Sequence, residues 1–218
     1  MYYRFSDRAE AGQALVKRLS HLANEPGLII LALPRGGVPI GYEIARGLHA
    51  PLDIFLVRKL GVPGYTELAM GALAENGARF INQQVIRQLG ISEIAIEQIA
   101  AQEQQELQRR ERIYRGHNRP PDVTGHTVII VDDGLATGAT VKVAVQALRS
   151  QRPKKIVVAV PVGAPDTCEE IRRLVDEFIC LVMPEPFHAV GIWYESFPQL
   201  SDADVIRLLE QDKSTTSS

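Results

Sequence analysis

Cysteine is scarce: Cys168 and Cys180 are the only two in 218 residues. They lie twelve positions apart, with no CxxC pair and no histidine at metal spacing, which argues against a zinc site and for ordinary reduced thiols. Charge of one sign is lacking as well. Lys and Arg number 24 against 26 Asp and Glu, a formal net charge of -2, so no global basic field invites nucleic acid or an acidic membrane, and any anion site must be local. No apolar run approaches the roughly 18 residues of a membrane span. The opening "MYYRFSDRAE" has no apolar signal core, so the chain is expected to be cytoplasmic, without a membrane partner. GxxxxGK[ST] is absent, no GxGxxG follows a candidate strand, and there is no internal repeat.

What is present is a 45% hydrophobic composition, enough for one sizeable core or a core with a small lobe. Asp7 and Glu10 form a capping-box pattern, and Ala11, Leu15, Leu19 and Leu22 recur on one helical face. "LIILALP" (28–34) reads as a buried strand, then a glycine loop and a helix. "LDIFLVRK" reads as a second buried strand ending on Arg58 and Lys59. "LGVPGYTEL" is rich in turn formers and reads as a moving loop. "AMGALAENGARFIN" reads as a strand or hairpin turning near Asn76-Gly77. Residues 92–115 predict a long polar helix, read as an exposed connector. From 128 onward, apolar strands alternate with helices, and "DKSTTSS" reads as a disordered tail. Strands apolar throughout and alternating with helices predict an α/β fold: a mostly parallel sheet with helices on both faces. The expected division is a core over 1–184 carrying the inserted helix, a small hood and C-terminal helix over 185–212, and a tail over 213–218.

The chemistry concentrates in "VIIVDDGLATGAT", Val128 to Thr140. In open α/β sheets ligands sit at the carboxyl ends of strands, where loops enter helix N-termini. Asp132 and Asp133 fall at that edge. Behind them the small residues of the loop let backbone N–H groups converge on an anion, and Thr137 and Thr140 add hydroxyls. Two carboxylates would repel the same phosphate, so they face hydroxyl groups or a cation. A sugar phosphate offers both partners. "VDD" alone is common at strand ends; together with the loop and both threonines it points to a site.

This stretch resembles the phosphoribosyl-diphosphate signature of the type I phosphoribosyltransferases, and the pattern from about Leu28 to Pro184 most resembles members of unassigned substrate. The resemblance implies that Asp132 and Asp133 bind the ribose hydroxyls, directly or through Mg2+, and that Ala136, Thr137, Gly138, Ala139 and Thr140 cradle the 5-phosphate. "PRGG" occupies the place of the family's diphosphate loop. Arg35 offers a forked donor, Gly36 and Gly37 allow close backbone approach, and an unusual, even cis, peptide is expected near Arg35. Arg58 and Lys59 would approach the diphosphate from the adjacent strand.

The implied reaction transfers the phosphoribosyl group to a nitrogen acceptor with release of diphosphate, by positioning and preorganised electrostatics. The loop carrying Glu67 could close as a lid. Trp193 and Phe187, in "PEPFHAVGIWYESFPQL", are candidates for stacking on the acceptor, although aromatics there are more often lobe core; His188 has no identifiable partner. An aspartate usually stands at the place of Ala136 in members acting on 6-oxopurines, so the resemblance implies a nucleobase-like acceptor outside that class, with Glu67 a candidate for proton transfer. A homodimer is a family-level expectation. The alternatives are a non-catalytic sensor of phosphoribosyl diphosphate or a nucleotide on the same fold, and a receiver-like domain, whose acids belong nearer the domain start.

Overall fold

A computed structural model describes residues 4–75, 77–116 and 119–216. Its strands are β1 (Leu28–Ala32), β2 (Leu52–Ile54), β3 (Val57–Val62), β4 (Tyr65–Ala74), β5 (Arg79–Ile81), β6 (Thr127–Val131), β7 (Lys155–Val162) and β8 (Glu177–Val182). Its helices are α1 (Arg8–Leu19), α2 (Gly37–Leu48), α3 (Gln83–Leu89), α4 (Glu93–Arg115), α5 (Ala139–Ser150), α6 (Pro165–Arg172) and α7 (Asp202–Thr216).

Every residue of β1 and β6 is buried, which only a sheet covered on both faces permits. The main sheet has the order β2-β1-β6-β7-β8, with each pairing parallel. Period-two alternation divides the side chains between two layers. Ile30, Ala32, Ile129 and Val131 meet Leu15 and Leu19 of α1, Ile40 and Ile44 of α2, and Val205 and Leu209 of α7. On the opposite face Ile29, Leu31, Val128 and Ile130 meet Val141, Val145 and Leu148 of α5 and Ile171 of α6. Each such Val, Leu or Ile side chain contributes about 1.5–3 kcal/mol by leaving water.

The stretch read as one second strand is divided between two sheets. The N–H of Phe55 still donates to Ala32 (2.9 Å), but that of Leu56 turns to the Glu75 carboxylate (3.1 Å). The chain leaves the main sheet there, and β3 pairs with β4 in an antiparallel sheet of order β3-β4-β5. Arg58 and Lys59 therefore lie within β3 rather than at the end of β2. The expected mobile loop is the β3–β4 hairpin, turning at Pro63 and Gly64, where Gly64 has φ +78°. The next turn is where the sequence suggested: Gly77 N–H donates to Ala74 (3.0 Å), with Asn76 outside the described residues.

The polar helix is no exposed connector. Ser92 caps α4 by accepting from Ala95 N–H, and Ile96, Ala100 and Leu107 enter the core. At its last turn the buried Arg115 donates to both oxygens of Glu75 (2.5 and 2.9 Å), to Asp53 (3.0 Å) and to the Ile54 carbonyl. This cluster fastens α4 to the point where the chain changes sheets. The tail expected from 213 continues as helix to Thr216, anchored one residue earlier where the buried Asp212 accepts the Leu52 N–H (3.1 Å). The hood expected over 185–212 likewise divides. Residues 187–197 close over the N-terminal segment, whereas α7 packs on the core. Among the described residues no helix is long and apolar enough to cross a membrane.

Candidate active site

Strands β1 and β6 run side by side in register, Ala32 opposite Val131, so the loops leaving them open at one edge of the sheet. In the first loop Leu33 N–H donates to Val131 (2.9 Å) and Gly37 N–H to Leu33 (3.0 Å). The Pro34–Arg35 peptide is cis, the unusual bond expected there, and Arg35 is exposed. A Cβ at Gly36 would lie 1.9 Å from Asp133 Oδ2, and one at Gly37 would lie 2.4 Å from the Val131 carbonyl oxygen. The side of each glycine on which a Cβ would stand is thus occupied by the end of β6 and the acid pair that follows it. Both glycines are required for the two loops to pack together.

Asp133 is held by a residue that sequence reasoning missed. Arg8, the first residue of α1, donates to Asp133 Oδ2 through Nε (3.1 Å) and Nη2 (2.9 Å), with side chains only 9% and 17% exposed. Its guanidinium also donates to the Pro198 carbonyl (3.0 Å) and lies 3.8 Å from the centre of the Phe197 ring. The Tyr194 hydroxyl fixes the backbone of the same aspartate by donating to its carbonyl (2.6 Å). Asp132 Oδ1 accepts the Asp133 N–H (2.9 Å). Burial, reinforced by the Asp133 carboxylate, pushes the Asp132 carboxyl well above the usual carboxylate range. Burial raises Asp133 too, against the pull of Arg8. Two raised carboxyls at a strand end suit a cation or hydroxyl donors that restore the lost solvation. Among the described residues no group of three or more His, Cys, Asp or Glu could hold a metal ion.

In the second loop Gly138 adopts φ +66° immediately before α5. The loop is stitched to its surroundings: Leu135 N–H donates to Val162 (2.9 Å), Ala164 N–H to Leu135 (2.8 Å), and Thr167 Oγ1 to the Ala136 carbonyl (2.8 Å). Thr137 Oγ1 accepts from Ala139 N–H (3.4 Å), while Ala136, Thr137 and Thr140 stay exposed. A solvent-facing helix N-terminus with hydroxyls beside it can receive an anion.

Part of the sequence-predicted set lines two depressions, and Asp132, Gly37 and residues 136–138 lie outside the lining of both. One, of about 560 Å³, lies between β3, α4 and the start of α5, and its lining includes Pro34, Arg58, Lys59, Ala139 and Thr140. The other, of about 320 Å³, is lined by Arg8, Arg35, Gly36, Asp133 and Phe197. Glu103 and Arg110 of α4 also face the larger one, and Arg58 Nε donates to Glu103 (2.6 Å). Neither residue was foreseen, because helical periodicity identifies a face without saying what it covers. Trp193, a stacking candidate, is 6% exposed and packs with Phe5, Ala11, Val162 and Tyr194. It belongs to the core of the lobe where residues 194–196 pair with Phe5 and Ser6. Phe187 packs against the same cluster. Glu67 lies on β4 with its side chain outside the described residues.

A model of the phosphoribosyl transferase domain matches residues 7–192. Two Mycobacterium tuberculosis proteins, provisionally named as phosphoribosyl transferases and drawn from two strains, are each 45% identical over 208 residues, 95% of this chain. That match covers 46% of each of them, so the chain spans about half the length of these curated relatives. The crystal structure of TT1426 from Thermus thermophilus superposes with a TM-score of 0.88 at 36% identity, covering 95% of this chain and 98% of that one. The AQ2163 protein from Aquifex aeolicus shares the fold, with a TM-score of 0.51 at 16% identity over 93% of this chain and 84% of its own.

Proposed function

The chain belongs to the phosphoribosyl transferase family, and from that premise we propose that it transfers the phosphoribosyl group of 5-phosphoribosyl 1-diphosphate to a nitrogen acceptor that is not a 6-oxopurine. The observation that carries this reading is the meeting of the Arg35-Gly36-Gly37 loop, the Asp132-Asp133 pair and the 136–140 loop at one sheet edge. The acceptor nitrogen bonds to the anomeric carbon as the bond from that carbon to the diphosphate oxygen breaks. Diphosphate leaves with the electron pair, and the nitrogen loses its proton.

Asp132 and Asp133 hold the ribose hydroxyls, with Arg8 and Tyr194 fixing the second acid. Residues 136–140 hold the 5-phosphate at the start of α5. Arg35, the backbone of Gly36 and Gly37, and Arg58 with Lys59 offset the charge of the leaving diphosphate. Asp132 and Asp133 fit Mg2+ as a pair of hard oxygen donors, and the bound ion would supply a charge sink and template for the phosphate oxygens. Alanine at 136 can neither accept nor donate a proton, which supports exclusion of 6-oxopurines, and Glu67 is our candidate for proton transfer. A cytoplasmic homodimer is the accompanying family-level expectation, and light scattering tests the oligomer.

The test incubates the chain with magnesium and phosphoribosyl diphosphate against a panel of bases and amines and measures diphosphate release. We expect release with an acceptor other than hypoxanthine or guanine. Ligand stabilisation without turnover on any acceptor would favour the sensing alternative. No stabilisation at millimolar ligand would overturn the reading.

A further inference from the structure

We propose that helix α4 contributes an anion-binding wall to the site, with Arg110 as a direct ligand of the phosphate groups. This rests on the reading of the chain as a phosphoribosyl diphosphate site, and adds a residue that the strand-end motifs do not contain. The cavity of about 560 Å³ has the size of a small-molecule site. At one end it meets Pro34 and Thr140, one residue from each phosphate loop, and its far wall is the face of α4 bearing Ile99, Glu103 and Arg110. A recess behind it brings Arg110 together with Pro34, Arg58 and Thr140 again. A phosphate-bearing ligand seated on the loops therefore lies within reach of α4.

Charge and hydrogen bonding single out Arg110 on that wall. Arg109 and Arg110 share one carboxylate, Glu106. Arg109 engages both of its oxygens, through Nε (2.8 Å) and Nη2 (3.0 Å). Arg110 reaches it through Nε (2.9 Å), and among the described residues its terminal amino groups donate to no hydrogen-bond partner. A guanidinium anchored by one edge keeps the remaining donors of its fork for a second anion. One carboxylate is shared between the two guanidiniums, and Asp202, the other acid near Arg109, accepts from the Tyr114 hydroxyl. Glu103 does not cancel Arg110, because it is engaged by Arg58 at 2.6 Å.

Arg109 supplies the control: it has the same neighbour and the same partner, but does not line the cavity. Calorimetric titration of the full chain in magnesium, with phosphoribosyl diphosphate and with inorganic diphosphate, compares wild type, Arg110→Gln, Arg110→Lys and Arg109→Gln. Arg110→Gln is expected to weaken binding about tenfold, Arg110→Lys to retain part of the affinity, and Arg109→Gln to stay within about twofold of wild type. An unchanged affinity in Arg110→Gln, or an equal loss in Arg109→Gln, overturns the inference while leaving the parent reading standing. Absence of binding by the wild type removes the parent reading itself.

Discussion

The edge where β1 and β6 end and the lobe formed by β3, β4, β5 and α4 face the same opening, yet their residues are placed by different means. At the edge, position is set by backbone: two fully buried strands in parallel register deliver their loops side by side. In the lobe, position depends on a buried side-chain pair between distant elements, Arg115 with Glu75, beside the more exposed Arg58 with Glu103 and Arg79 with Glu97. Ladders impose geometry on whichever side chains they carry, whereas a buried ion pair imposes it only while both partners are present. The loops at the edge should therefore keep their place without such a pair, although the Asp133 side chain leans on Arg8, whereas the lobe should depend on its buried one.

The strongest way to break this contrast is Arg115→Ala. Arg115 and Glu75 are 3% and 1% exposed, and removing one partner of a buried pair costs about 3–5 kcal/mol because the other charge is left behind. Chemical denaturation should show that loss, with hydrogen exchange rising first in β3–β5. A loss below about 1 kcal/mol, within the range of an exposed pair, would mean that packing rather than pairing holds the lobe.

Gly36→Ala probes the edge by its own logic. The new Cβ would stand 1.9 Å from Asp133 Oδ2, so the aspartate must move out of its contact with Arg8. The fold should survive, since the core strands are untouched. The ligand effect should not: stabilisation by phosphoribosyl diphosphate, about 2.7 kcal/mol at 100 times its dissociation constant in an intact site, should disappear. A thermal shift equal to that of wild type would show that Asp133 is dispensable.

These two regions also mark what the sequence disclosed. The strands β1 and β6, the acid pair and the glycine loops were legible because each is a local pattern: an apolar run buried on both faces, then residues fit for a strand-end loop. The break after Ile54 was not, because "LDIFLVRK" is continuous in hydrophobicity and the partner that turns Leu56 away, Glu75, lies 19 residues on. Arg8 is 125 positions from Asp133, and nothing in "DRAEAGQAL" distinguishes it from a solvated helix arginine. Helix α4 was legible as a helix but not as a wall, since periodicity carries no information about what packs against a face. The aromatic segment was ambiguous for the opposite reason. Its composition suits stacking on a base, but Trp193 fills the small core where residues 187–197 close over the N-terminal segment. Trp193→Phe should accordingly cost about 1–2 kcal/mol of stability, as partial core truncations do. Acceptor preference should be unchanged, and a shifted preference at equal stability would return Trp193 to the binding site.

The gentlest probe of the lobe is pH. Burial raises the Glu75 carboxyl to about 7, against the hydrogen bonds from Arg115 and the Leu56 N–H. In the unfolded chain the same group titrates near its ordinary 4.5, so between these values the folded state binds up to one proton more. Stability present below about pH 4.5 is then lost as pH rises through about 7, with a slope from this group of at most about 1.4 kcal/mol per pH unit. Asp132, also raised by burial, slopes the same way, so the wild-type curve alone does not isolate Glu75. Glu75→Gln does. The variant's loss of stability between pH 5 and 7 should be shallower than that of wild type. Denaturant midpoints measured across that interval give both slopes. Parallel curves would mean that Glu75 stays ionised throughout, with the pull of Arg115 outweighing burial.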